Sequence, residues 1–200
     1  MQLVLASSSP YRKQLLERLR IPFQCMAPDI DESPVQGETP ETTALRLARA
    51  KALILRTTFP EHLIIGSDQL ASHAGKLVGK PGSHDRALAQ LRSFSGETVE
   101  FLTALCVYNS KQALSAEALV STKVTFRTLD KRAIENYLIA ERPYDCAGSF
   151  KVEGLGIALF EKVCSEDPSA LMGLPLIRLC DLLADHGYPV LSEKQAIRQG

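Results

Sequence analysis

The sequence predicts a mixed α/β fold, and three observations predict it. Apolar runs of strand length alternate with helical patterns from the N-terminus onward. Two long segments, residues 97–109 and 113–128, read as strands that pair antiparallel across Ser110-Lys111. The chain also opens on a strand, a three-serine loop and a helix start. Alternation supplies crossovers and the hairpin supplies antiparallel neighbours, so the sheet is mixed.

The opening run LVLA is the first strand, broken by Ser7, Ser8 and Ser9. Ser9 is a good N-cap and Pro10 a good first helical residue, so free backbone N–H groups and the positive end of the helix dipole meet at Ser7 to Ser9. Such an end suits an anion. Arg12 lies in the first turn, where a cation opposes the dipole, so an anionic ligand explains it better than helix stability does. The ordinary alternative is a surface arginine. PFQCMAP is a second strand, followed by an acidic loop over 29–38. Thr39, Pro40 and Glu41 start a helix in which Leu45, Ala48, Ala52 and Leu55 recur at helical spacing until Phe59-Pro60. Arg46, Arg49 and Arg56 read as its solvated basic face.

HLIIGSD is a buried strand that delivers Asp68 to one edge of the sheet, where α/β folds place catalytic groups. QLASHAGKLVG reads as a hairpin around Ala74-Gly75, and Ser83 caps a helix reaching about Phe94. After the long hairpin come a helix from Asp130 to Ala140, the loop RPYDCAGS, a strand from Phe150 to Phe160, and a last helix from Pro175 to Asp185 stopped by Gly187. The expected organisation is one domain over 1–191 with a frayed polar tail over 192–200.

With 23 Lys+Arg against 23 Asp+Glu the net charge is zero, which argues against binding a nucleic acid polymer through a broad basic face. Any phosphate ligand is therefore small and locally held. No run reaches the roughly 18 apolar residues of a membrane span. The start lacks a basic n-region and an h-region, so the expected location is the cytoplasm. Cys25, Cys106, Cys146, Cys164 and Cys180 form no C-x-x-C pair and read as reduced, mostly buried thiols. Cys146 has no histidine close in sequence to activate it as a nucleophile. The four histidines lack metal-ligand spacing and read as surface or edge residues.

Seven pieces in order, LASSSPYR, DIDES, RLARAKA, IIGSDQ, GKP, AGSFKVEG and GLPL, span nearly the whole chain. Together they resemble the Maf family of nucleotide pyrophosphatases. That resemblance implies an elongated mixed sheet flanked by helices, with two lobes around a nucleotide cleft. Tyr11, Gln69 and Glu153 are similar to the YceF-type branch, which the resemblance links to 7-methylguanosine triphosphate. Many members of that branch carry Trp in place of Tyr11; the other large branch is linked to dTTP and UTP. The resemblance allows a homodimer, though no sequence pattern marks an interface.

A nucleotide pyrophosphatase must hold a polyanion, and the chain offers the parts. Ser7, Arg12, Lys51 and Lys80 would neutralise the phosphates. Glu32 and Asp68 offer hard oxygens to a divalent cation, Mg2+ or Mn2+. Asp68 is the expected general base, taking a proton from the water that attacks the α-phosphorus. Tyr11, Gln69 and Glu153 would read the base, because a cationic purine with edge donors suits an aromatic face and a carboxylate. Taken alone, Lys80 is an ordinary turn lysine and Glu32 an acid in a solvated loop. Asp68 resists that treatment, since a carboxylate at the end of LIIGS is costly to bury without partners. Two other classes are a nucleotide-binding regulator of septum formation without turnover, and an interaction protein whose basic residues are solvated.

Overall fold

The structure, a computed structural model, describes residues 1–33 and 35–192. Its elements run β1 (Gln2–Ala6), α1 (Pro10–Glu17), β2 (Phe23–Met26), α2 (Pro40–Ile54), β3 (His62–His73), β4 (Lys76–Val78), α3 (His84–Phe94), β5 (Thr98–Asn109), β6 (Leu114–Phe126), α4 (Lys131–Glu141), β7 (Phe160–Ser165) and α5 (Leu176–Asp185). Strands pair in the order β2-β1-β3-β5-β6-β7, with β4 added to β3. β1 is parallel to both β2 and β3, whereas β3–β4 and β6–β7 are antiparallel, so the sheet is mixed. β5 and β6 are sheet neighbours joined only by residues 110–113, too short for the crossover a parallel pair requires. Among the described residues no helix is long and apolar enough to cross a membrane.

The chain divides into two compact units, each assembled from separated segments. The first comprises Met1–Gln69, Thr103–Val120 and the chain from Asp167 onward, and the second Leu70–Leu102 and Ser121–Glu166. β3, β5 and β6 contribute residues to both. The first unit's core gathers Leu3 and Leu5 of β1, Leu15 and Leu16 of α1, Leu63 and Ile65 of β3, Leu105 and Val107 of β5, and Leu179 and Leu183 of α5. The alternation in β1, β3 and β5 is the period-two signature of one sheet face packing on helices. The second unit is organised on aromatic rings: Phe126, Phe150 and Phe160 meet edge to face at centroid distances of 4.9 to 6.0 Å, and Phe101 packs on Phe150.

The predicted caps are in place. Ser9, Thr39, Ser83 and Asp130 each accept a backbone N–H from the first turn of the following helix. Gly187 closes α5 in the left-handed region, donating its N–H to Ala184 O at 2.8 Å.

Three expectations need correction. The strand predicted over 150–160 begins only at Phe160; residues 155–159 form 3-10 turns instead. A Cβ at Gly156 would sit 2.2 Å from Lys151 O, so the apolar letters GLGIALF encode a tight turn that leaves Leu155 and Ile157 exposed. β7 escaped notice because it ends the strand order and buries only Phe160, so it shows no alternation. The thiols are not mostly buried: Cys25 on β2 and Cys164 on β7 are exposed, Cys146 and Cys180 half-buried, and only Cys106 is enclosed. Finally, of the arginines read as a solvated face, Arg49 and Arg56 are exposed as expected, Arg56 lying beyond the end of α2, whereas Arg46 is half-buried. Arg46 grips Glu38 with two nitrogens at 2.6 and 2.9 Å, Arg49 pairs with Glu117, and Arg56 donates to Leu53 O.

Candidate active site

The site in the first unit begins with a missing side chain. Gly66 lies in β3 opposite Ala6 of β1, and a Cβ there would stand 2.2 Å from Ala48 O and 2.8 Å from Ala52 N. Only glycine lets the backbone of α2 settle so closely on β3. The buried face of α2 is Ala44, Leu47, Ala48, Lys51 and Ala52, so lysine faces the sheet among small residues. Sequence periodicity alone assigns Leu45 to that face; Leu45 is half-buried and Lys51 takes the enclosed position.

Lys51 is 7% exposed and Asp68, two residues beyond Gly66, is 6% exposed. The lysine Nζ donates to Asp68 Oδ1 at 2.6 Å and pairs with Glu32 Oε1 at 2.7 Å. Two carboxylates from distant segments thus share one buried ammonium. Asp68 Oδ2 is buried and has no hydrogen-bond partner among the described residues. Leaving a buried polar atom unpaired costs about 1–3 kcal/mol, so the open oxygen is a place where a ligand or water would be stabilised.

Arg12 completes the charge cluster. Its Nε donates to Gly173 O at 2.7 Å. Burial holds the guanidinium below its ordinary pKa, while the charges of Asp68 and Glu32 work in the opposite direction. Those carboxylates are therefore near enough to be felt, and the arginine stays charged at any physiological pH. No protein atom among the described residues accepts a hydrogen bond from its terminal nitrogens. Ser7 is buried and directly follows β1, one residue past the Ala6–Gly66 pairing. Its hydroxyl accepts the Ser9 N–H at 3.1 Å, and its own N–H goes to Leu5 O. Two of the amides expected to be free at Ser7 to Ser9 are thus used within the turn.

Gln69 is committed to the protein. Its Nε2 lies 3.0 Å from Ala170 O, 3.1 Å from Leu171 O and 3.0 Å from Thr103 Oγ1. Thr103 gives its own proton to Ala170 O, so it must accept from Gln69, which fixes the amide with its nitrogen toward the 170–172 turn. Tyr11 sits in the first turn of α1, one residue before Arg12.

Lys80 and Glu153 belong to the second unit and are exposed there. Gln90 of α3 ties their two loops together, donating to Gly79 O at 3.0 Å and accepting from Ser149 Oγ. Cys146, in the same unit, has its thiol pushed up to about 12 by burial, a poor state for a nucleophile.

Sequence reasoning missed the turn at Ala170–Met172 and what surrounds it. Asp167 Oδ2 accepts the N–H of Ile177 at 2.7 Å and Oδ1 that of Ser169 at 3.0 Å, while Ser169 Oγ accepts the N–H of Leu176 at 2.7 Å. They cap α5 from a distance, because its N-cap position is Pro175. The Asp-Pro pair at 167–168 was the available turn signal.

A model of the family described as "Maf-like protein" matches residues 2–186. The chain belongs to this family. Among similar curated Maf relatives, a protein of Methylobacillus flagellatus is 55% identical over 190 residues, covering 94% of this chain and 98% of the relative. One of Ralstonia nicotianae is 54% identical (95% and 98% covered), and one of Paraburkholderia xenovorans 53% (95% and 94%). All three are named 7-methyl-GTP pyrophosphatase. Among solved structures, a HAM1 protein from Coxiella burnetii aligns over 92% of this chain and 99% of its own, with 14% identity and a TM-score of 0.49.

The carboxylate pair fits a divalent cation. Asp68 Oδ2 is a buried, unpartnered hard donor, and Glu32 reaches the same lysine from the acidic loop. Mg2+ and Mn2+ are commonly held by one or two carboxylates with waters and substrate phosphate completing the shell. Among the described residues there is no group of three or more His, Cys, Asp or Glu side chains that could hold a metal ion.

Proposed function

We propose that this chain hydrolyses 7-methyl-GTP to 7-methyl-GMP and pyrophosphate, clearing a modified nucleotide. The observation that carries the reading is Asp68: a buried carboxylate with one oxygen fixed by Lys51 and the other unpartnered among the described residues. A structural ion pair would satisfy both oxygens; a proton acceptor needs one open. The names of relatives above 50% identity supply the substrate.

In the reaction, water oxygen bonds to the α-phosphorus, and the bond from that phosphorus to the α,β-bridging oxygen breaks. The electron pair leaves with pyrophosphate. Asp68 Oδ2 takes the water's proton, while Lys51, anchored on Oδ1, keeps the carboxylate from turning. Arg12 presents its terminal nitrogens to the phosphates, a planar fork suited to paired oxygens. Ser7 adds a hydroxyl to the cradle, and the family resemblance alone assigns Lys80, on the second unit, to the phosphates as a point charge. Glu32 and Asp68 would hold Mg2+ or Mn2+, which when bound supplies charge neutralisation and a more acidic water. Tyr11 offers a ring to the cationic base, and the family resemblance alone assigns Glu153, on the second unit, to its edge donors. Gln69, its nitrogen spent, contributes Oε1.

The test is pyrophosphate release from 7-methyl-GTP, GTP, dTTP and UTP, with and without Mg2+ or Mn2+. The expected result is a preference for 7-methyl-GTP, lost in excess EDTA. Preference for dTTP or UTP would move the chain to the other branch, and release from none would leave a nucleotide-binding regulator.

A further inference from the structure

Arg12 is too long a side chain to aim itself, and its Nε is anchored on a backbone carbonyl, that of Gly173. Gly173 has φ +102, a conformation that favours glycine, and a Cβ there would lie 3.2 Å from Arg12 Nε. The same carbonyl also lies 2.9 Å from Ser67 Oγ, which is fully buried and adjacent to Asp68. Ser67 has a second acceptor, Ala104 O at 2.8 Å, so its single proton is shared between β5 and the turn. On the far side of Asp68, Gln69 holds the same turn through Ala170 O. Both neighbours of the proposed base therefore grip the turn on which the proposed phosphate arginine rests.

We propose that Ser67 is a positioning residue for catalysis: through the Gly173 carbonyl it sets the orientation of Arg12 relative to Asp68, so that base and phosphate anchor are held by one strut. The proposal rests on the reading of Arg12 as a phosphate ligand. Ser67 touches neither substrate nor metal, and no feature of its strand pattern marks it.

The test is a double-mutant cycle with Ser67→Ala and Arg12→Lys, the latter keeping the charge but deleting Nε. Readouts are KM and kcat for the triphosphate best hydrolysed, and the affinity for its non-hydrolysable α,β-imido analogue. Ser67→Ala raises KM and the analogue Kd by about three- to tenfold, the range one neutral hydrogen bond supplies, with kcat changed less. In the Arg12→Lys background the same substitution has no further effect, since the strut ends on nothing. Where Ser67→Ala does not fold, Ser67→Cys keeps the volume with a weaker donor and takes its place. Multiplicative losses in the double variant overturn the strut, because Ser67 then acts elsewhere. Wild-type KM and analogue affinity in Arg12→Lys would instead remove Arg12 from the phosphate cradle, a failure of the underlying reading, and would take the strut with it.

Discussion

Two aspartates in the same unit are almost equally buried and entirely unlike. Asp167 is 1% exposed, and each of its carboxylate oxygens accepts a backbone N–H at 3.0 Å or less. Asp68 is 6% exposed, gives one oxygen to Lys51 and leaves the other without a partner among the described residues. Accessibility does not separate them; the count of satisfied lone pairs does. A carboxylate whose oxygens are all answered is part of the scaffold. One held open is what the proposed general base requires.

The sharpest way to break this contrast is to make the same substitution at both. Asp68→Asn should fold, bind nucleotide and lose about a hundred- to ten-thousandfold in kcat, the scale of a general base. Steady-state kinetics beside a melting curve decides it, and near-wild-type kcat would refute the assignment. Lys51→Met should strike both properties, because it strands a buried charge. Breaking a buried pair from one side costs about 3–5 kcal/mol. Adding Asp68→Asn to Lys51→Met should restore part of that stability in urea unfolding without restoring turnover. If the double variant is no more stable than Lys51→Met alone, the pair is not the buried unit described.

Asp167→Asn should show the opposite profile: a loss of about 2–4 kcal/mol, since it weakens several charge-assisted bonds at the start of α5, with kcat per folded molecule close to wild type. Gly66→Ala sharpens the contrast from the other side. The added methyl must push α2 off β3, costing about 1–3 kcal/mol and lowering kcat by displacing Lys51 from Asp68. Unchanged kcat there would mean that the close approach serves packing alone.

The smallest effect is a control shared by all variants. Burial raises the thiol pKa of Cys106 and Cys146 from 9.0 to about 12, so the unfolded chain releases these protons first. The folded state then binds more protons, and stability must fall as pH rises from about 9 toward 12. The slope should be equal in Asp68→Asn and Asp167→Asn, measured by denaturation at stepped alkaline pH. Different slopes would tie one aspartate to the thiols.

How much of this was legible in the sequence differs between the two carboxylates. Asp68 was readable because it follows the apolar run LIIGS, and a charge there demands a reason, although β3 does not end at it as the sequence suggests but runs on to His73. Lys51 was readable only through family resemblance; periodicity placed Leu45 on the buried face, and it took the close approach at Gly66 to turn lysine inward. The link between Ser67, Gly173 and Arg12 was not readable, because it runs through a backbone carbonyl 106 and 161 positions away from the two donors, and a carbonyl leaves no letter in the sequence; Asp167 left only the Asp-Pro turn signal. β7 was misplaced for a related reason. A terminal strand that buries one residue has no hydrophobic rhythm to detect.

The anchoring of Arg12 on Gly173 also orders events during synthesis. The two residues are 161 positions apart, and β1, α1 and β3 share their core with Leu174, Leu179 and Leu183. While the ribosome is still adding the middle of the chain, the opening strand and helix have emerged without the surface they pack on. Contacts of such separation form late and slowly, and exposed apolar faces invite chaperones in the interval. A nascent chain halted before Asp167 would carry Lys51 and Asp68 yet leave Arg12 without its rest. The proposed hydrolytic centre is thus complete only once the turn that ends at Gly173 has been made and docked.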